Sequence, residues 1–270
     1  MIKGSSFTIP IIGNNPLALV VGLFACGFAP RARYGLLCTL CGFWLLSGCA
    51  DPPRLGSGRF EATVSEPLEY YLYVPPQYSP DGPPSGLILF LHGGGESGQD
   101  LEKHKAQGPP KRLLEGPDLP FMVLAPQHPE PRKWWNTRAV KELLDHIVDR
   151  YNVDPDRIYL SGLSRGATAC WEMAVHYPDT FAAMAVVCGM TPVPYAHWMR
   201  PDMPVWVFHG TEDPVIPFSE SDDMVEKLRS MGRPVRFTPY EGVGHNAWDA
   251  AYADEALYSW LAAQRRKPQQ

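Results

Sequence analysis

Ile158-Tyr159-Leu160-Ser161-Gly162-Leu163-Ser164-Arg165-Gly166-Ala167 is the stretch around which the rest of the chain is organised. A β-branched and aromatic run enters Gly-Leu-Ser-Arg-Gly, and a helix-compatible stretch, Ala167 to His176, follows at once. Gly-x-Ser-x-Gly between a strand and a helix is the nucleophile-elbow arrangement, with its serine at the tip of a sharp turn. The turn brings backbone against backbone, and Gly162 and Gly166 carry no Cβ to clash there. The helix that starts behind the serine turns free N–H groups toward it, which favours negative charge at that point.

Outward from this turn, strand-like and helix-like stretches alternate. Upstream lie Phe60 to Val64 and Leu68 to Val74, which alternate like antiparallel strands with one wet face, and then a proline-rich surface loop from Pro75 to Gly86. Leu87-Ile-Leu-Phe-Leu91 and Phe121-Met-Val-Leu-Ala125 are continuous apolar runs, as expected of strands covered on both faces. Ala139 to Tyr151 has apolar residues at helical spacing. Downstream, Ala182 to Cys188, Val205 to Phe208 and Val235 to Tyr240 read as strands, with helices over Ser219 to Arg229 and Ala247 to Gln264. The pattern predicts an α/β fold: a three-layer, mostly parallel sheet with antiparallel N-terminal strands and helices on both faces. Residues 59–265 read as one domain.

Ahead of it, Arg31-Ala-Arg33, the apolar run Tyr34 to Leu46 and Ser47-Gly48-Cys49 have the layout of an export signal. Leu46-Ser47-Gly48-Cys49 resembles a bacterial lipobox, so residues 1–49 read as a signal segment with Cys49 the lipidated residue; an uncleaved anchor is the alternative. Residues 1–30 read as an upstream extension or an over-called start. Residues 50–58 read as a tether rich in Pro, Gly and Ser. The expected location is outside the cytoplasm, held to the cell envelope by lipid, at the outer membrane if the host has one.

The chain of 270 residues carries a net charge of −5. Without the three basic residues of 1–49 (Lys3, Arg31, Arg33; no acid lies there), 21 basic side chains face 29 acidic ones, a net of −8. An acidic body of this size argues against nucleic acid as a partner. Of six cysteines only Cys170 and Cys188 lie in the body, which is neither a disulfide framework nor a metal cluster. They read as buried small apolar residues.

A serine hydroxyl is nearly inert at neutral pH and needs a base, itself oriented by an acid. Sites in open sheets lie beyond the carboxyl ends of the strands. Two loops qualify: Asp213 in His209-Gly-Thr-Glu-Asp213, after one strand, and His245 in Gly242-Val-Gly-His245, after the next. His92 and His209 end strands and read as turn elements. His104, His128, His146, His176 and His197 read as surface or cap residues. Glu212 points the other way from its neighbour, and Asp222, Asp223 and Asp249 belong to solvated helix faces. An oxyanion site needs two N–H donors, each worth roughly 3–4 kcal/mol in the transition state. The candidates are the backbone N–H of Arg165, and that of Gly94 in His92-Gly-Gly-Gly95, with Gly95 as the alternate.

Leu91-His-Gly-Gly-Gly-Glu-Ser-Gly98, Val153 to Gly166, Tyr177-Pro-Asp-Thr-Phe-Ala-Ala183, His209-Gly-Thr-Glu-Asp-Pro-Val215 and Gly244-His245 together resemble the α/β-hydrolases. The similarity is to the esterase branch with polyhydroxybutyrate-depolymerase-like, feruloyl-esterase-like and carboxylesterase/phospholipase-like members and "predicted peptidase" lipoproteins. It spans residues 87 to 262. It implies Ser164 as nucleophile, Asp213 as acid and His245 as base, hydrolysing carboxylic esters without cofactor or metal. The substrates it implies are acyl esters of carbohydrates, or short-chain or aryl esters. Two positions depart from the family: Ala167 stands in place of a second glycine, and Arg165 in place of an apolar residue. Arg165 brings positive charge to the mouth or pairs with a surface acid. Trp134, Trp135 and Trp248 are candidates for a substrate rim. No lid-like insertion separates Ser164 from Asp213, which disfavours a lipase. A serine peptidase of the same fold and a non-catalytic binding lipoprotein are the alternative readings.

Overall fold

Every residue of Leu87–Leu91 is buried because helices cover both faces of the strand they form. The computed structural model describes residues 54–61 and 67–267; the signal segment with its Cys49 and residues 50–53 of the tether lie outside them. In chain order the strands are β1 (Arg54–Glu61), β2 (Pro67–Val74), β3 (Ser85–Leu91), β4 (Met122–Pro126), β5 (Val153–Leu163), β6 (Ala183–Val187), β7 (Val205–Gly210) and β8 (Val235–Tyr240). They form one sheet in the order β1-β2-β4-β3-β5-β6-β7-β8. β2 runs antiparallel to β1 and β4, and all other pairings are parallel. The helices are α1 (Gly108–Glu115), α2 (Thr137–Arg150), α3 (Arg165–His176), α4 (Ser219–Ser230), α5 (Trp248–Ala253) and α6 (Glu255–Ala262).

Strand alternation builds two cores. Leu87, Leu89 and Leu91 pack with α2, α3 and α4 on one face, while Ile88 and Phe90 pack with α1, α5 and α6 on the other. Each such fully buried Leu, Ile or Phe contributes roughly 1.5–3 kcal/mol of transfer free energy. The three-layer α/β sheet expected from the sequence is the fold found.

Four local expectations change. Residues 54–58, expected in the tether, form the start of β1, since an edge strand needs only backbone pairing and this one pairs with β2 from Arg54 to Glu61. β2 has no wet face over Tyr70–Tyr73, because β1 and β4 flank it and both cores reach it. α1 is hidden in the sequence by Pro109 and Pro110, which a helix tolerates in its first turn, where N–H groups lack partners anyway. The single C-terminal helix breaks at Asp254, an extended residue whose side chain accepts the Ala256 N–H and so caps α6.

Candidate active site

Ser164 joins β5 to α3 with φ 51°, ψ −122°, a strained conformation for a residue with a side chain. The flanking glycines are dictated by contact. A Cβ on Gly166 would lie 2.0 Å from the Leu91 carbonyl oxygen, and one on Gly162 would lie 2.7 Å from Gly166 backbone atoms. The Ser164 N–H donates to Val187 O of the neighbouring β6 at 2.8 Å, which fixes the turn to the sheet.

Three strand-end loops bring the predicted side chains together. Ser164 Oγ lies 2.9 Å from His245 Nε2, and His245 Nδ1 lies 2.6 Å from Asp213 Oδ2. With the carboxylate an acceptor only, Nδ1 carries the imidazole proton and Nε2 is left to accept from the hydroxyl. The Asp213 side chain is fully buried, and His245 is 18% exposed. The other Asp213 oxygen, Oδ1, accepts the N–H groups of Val215 and Ile216 at 2.8 and 3.0 Å. Burial alone would raise this carboxyl's pKa, but the hydrogen bonds from His245, Ile216 and Val215 outweigh it and hold the carboxyl below the ordinary aspartate value. A depressed acid stabilises the fold above its unfolded pKa, and that contribution is lost only as pH falls through the lowered value.

His209, expected as a turn element, is a buried support for this acid. Its Nε2 faces Ile216 O at 3.0 Å and Asp213 Oδ2 at 3.2 Å, so Nε2 bears the proton, and Nδ1 accepts from the Ser221 hydroxyl at 2.7 Å. Burial pushes its pKa down and keeps it neutral. Its position directly after a β7 core run was the available signal. Cys188, His209 and Asp213 form the one grouping of metal-ligand donor types among the described residues. Its donors are already committed to one another, and burial pushes the Cys188 thiol up to about 12, so it stays protonated. Cys170 and Cys188 are both buried and unpaired.

On the other side of Ser164, a Cβ on Gly93 would lie 3.4 Å from Ser164 Cβ. The Gly93 N–H is taken by Glu96 Oε2 at 3.0 Å, so the next amide, that of Gly94, is the candidate donor toward a substrate. The Arg165 N–H stands at the first position of α3, where a helix leaves donors free. Gly95 has open space around it, and nothing packed there requires a glycine. The loop is held from below: Gln127 Nε2 donates to the Glu96 and Gly98 carbonyls at 2.8 and 2.7 Å, and His92 Nε2 accepts the His128 N–H at 3.0 Å.

Several other expectations are corrected here. His104 and His128 are buried, not on the surface, because the chain after β3 folds back over the end of β4 and encloses both rings. His92 packs edge-on to His104 and to Trp135, at ring distances of 4.6 and 4.8 Å. Trp135 is therefore core: it is 5% exposed and its Nε1 donates to His92 O. Trp134 is exposed, and Trp248 stands edge-on to His245 at 5.0 Å. Among the described residues Arg165 pairs with no surface acid; its Nη1 donates to Ser97 Oγ and Lys133 O at 3.3 and 3.2 Å. Exposed Met190 and Val215 were not singled out in the sequence. Met190 N–H donates to Thr168 Oγ1 in the first turn of α3, and Val215 lies two residues beyond Asp213.

A mostly parallel sheet with a Gly-x-Ser-x-Gly turn at a central strand tip, and acid and histidine on the following strand ends, defines an α/β-hydrolase. Comparison with known proteins places it further. The Phospholipase/Carboxylesterase family matches residues 129–257. NocK of Nocardia uniformis subsp. tsuyamanensis is 32% identical over 149 residues, covering 52% of this chain and 42% of that protein. The bifunctional acetylxylan esterase/xylanase XynS20E of Neocallimastix patriciarum is 25% identical over 60% of this chain and 24% of its own length. The crystal structure of a thermostable esterase aligns with a TM-score of 0.69 and 32% identity, covering 78% of this chain and 63% of that one. The chain spans less than two thirds of each of these three. The fold is that of the α/β-hydrolase superfamily, and the similarities lie on its esterase branch.

Proposed function

We propose that the protein hydrolyses carboxylic esters through an acyl-enzyme, with Ser164 as nucleophile, His245 as base and Asp213 as the acid that orients it. The observation that carries this reading is the unbroken hydroxyl–imidazole–carboxylate chain at 2.9 and 2.6 Å. His245 Nε2 takes the serine proton as Oγ attacks the ester carbonyl, then returns it to the leaving alcohol. Water repeats the sequence to free the acid. The developing oxyanion is received by the N–H groups of Arg165 and Gly94. Trp134 and Trp248, with Met190 and Val215, give the mouth an apolar and aromatic rim, which suits acyl groups on carbohydrates or short-chain and aryl esters. The name of the acetylxylan esterase/xylanase supports an acylated carbohydrate, and that of the thermostable esterase supports ester hydrolysis.

The test is hydrolysis of p-nitrophenyl acetate, butyrate and decanoate by the protein beside Ser164→Ala. Loss of the serine is expected to lower kcat by about 10⁴-fold or more. Equal rates in the two proteins would remove the reading. We further infer that Cys49 carries the lipid that holds the body to the envelope, supported by the apolar run and Leu46-Ser47-Gly48-Cys49. Labelled palmitate should enter the wild-type protein and not Cys49→Ser; equal labelling of both would rule the anchor out.

A further inference from the structure

Arg165 contributes more than its backbone to this site. Its guanidinium folds back over the loop after β3: a Cβ on Gly94 would lie 3.0 Å from Arg165 Nη2, one residue along from the glycine that faces Ser164. The loop's own carboxylate, Glu96, is turned to the Gly93 N–H. Both hydrogen bonds of the guanidinium come from Nη1 and go to uncharged oxygens, Ser97 Oγ and Lys133 O. Among the described residues no carboxylate forms an ion pair with Arg165, Arg132 or Lys133. Arg132 and Lys133 are exposed on the loop that accepts the Arg165 bond. An acidic protein thus presents, next to Ser164, a guanidinium with no carboxylate partner among the described residues, and two exposed cations on the loop that accepts its bond. A guanidinium edge free of protein partners is a ready fork for a carboxylate.

Resting on the esterase reading, we propose that Arg165, aided by Lys133, is a specificity-determining residue and that the preferred substrates are esters bearing a carboxylate close to the scissile bond. The carboxylate binds on the β4 side of Ser164, and the uncharged part of the substrate lies toward Met190 and Val215. The serine chemistry is unchanged; the cation adds ground-state and transition-state binding to anionic substrates alone.

Two matched pairs test this: para-acetoxybenzoate against para-acetoxybenzamide, which carry the charge on the leaving group, and mono-p-nitrophenyl adipate against p-nitrophenyl valerate, which carry it on the acyl group. The readout is the ratio of kcat/KM, charged over neutral, so disturbance of the oxyanion loop common to both members cancels. In one pair at least, Arg165→Gln is expected to lower the ratio about tenfold, the size of one charge-assisted hydrogen bond. Arg165→Lys should keep part of it, and Lys133→Gln should lower it about twofold to threefold through a more distant charge. Raising salt from about 0.05 to about 0.5 M should weaken the wild-type preference. Hydrolysis that depends on Ser164, with ratios that Arg165→Gln leaves unmoved in both pairs, overturns anion recognition and leaves the esterase reading intact. Hydrolysis that survives Ser164→Ala overturns the esterase reading itself.

Discussion

On the oxyanion-loop flank of Ser164, side chains hold a backbone in place; on the Asp213 flank, backbone holds a side chain. The first flank needs its amides fixed, and Gln127, His92 and Trp135 fix them by bonding to carbonyls and amides of the loops around residues 92–98 and 128. The second needs a carboxylate fixed, and the N–H groups of Val215 and Ile216 do it. Both flanks rely on buried neutral histidines, but of different kinds. His209 has a partner on each nitrogen, whereas His104 faces only the Pro126 carbonyl, outside good hydrogen-bond geometry. A satisfied buried polar group is rigid and nearly cost-free, and an unsatisfied one is a standing penalty. The contrast therefore predicts that the oxyanion flank is the acid-sensitive side of the molecule, and the Asp213 flank the side where one substitution reaches the chemistry.

The larger effect belongs to His104. Burial pushes its pKa down to about 4, against an upward pull from the Pro126 carbonyl. The unfolded chain binds this proton near pH 6.5 and the folded chain does so only near pH 4. Stability is therefore fully present above pH ~6.5, falls as pH drops toward ~4 and is flat below, a span on the order of 3 kcal/mol. His92, edge-on to His104 and also pushed well down by burial, acts in the same direction. Urea unfolding followed by tryptophan fluorescence between pH 7 and 4 should show a steeper loss in wild type than in His104→Leu. Parallel curves for the two proteins would mean that the contrast between the flanks has no energetic basis.

How far the site was legible follows the same division. Ser164, Asp213 and His245 could be read because each stands within a few residues of a glycine at or just beyond the end of a strand signal, and a parallel sheet collects such ends on one edge. The supports could not be read. His104 and His128 carry no periodic signal, and His209 shows only the β7 run before it; what buries the three is the packing of a 3-10 turn, a loop and α4 against them. Trp134 and Trp135 are adjacent and identical in type, yet one is 58% exposed and the other 5%, a distinction made by the His92 carbonyl and two imidazole rings beneath the second. The same holds for α1, where two prolines that would break a helix interior sit at its start.

The smaller effect, and the one that sharpens the contrast most, concerns His209. Asp213 keeps its backbone donors whatever stands at position 209, so Oδ1 should stay anchored and the carboxylate ionised. What His209 supplies is a second donor toward Oδ2, the oxygen that faces His245. Without it, Oδ2 is free to turn toward the space the ring vacates, and the 2.6 Å bond that sets the His245 tautomer loosens. His209→Leu is therefore expected to lower kcat about tenfold with KM nearly constant, because the interaction lost bears on proton transfer and not on ester binding. His209→Gln places an amide N–H where Nε2 stood and should recover most of the rate. A purely structural residue would behave otherwise: both variants would lose folded protein while the surviving fraction kept full kcat per active site, measured by titration with a p-nitrophenyl phosphonate. That outcome would assign the rigidity of the Asp213 flank to Val215 and Ile216 alone, and make backbone the whole of what positions the acid.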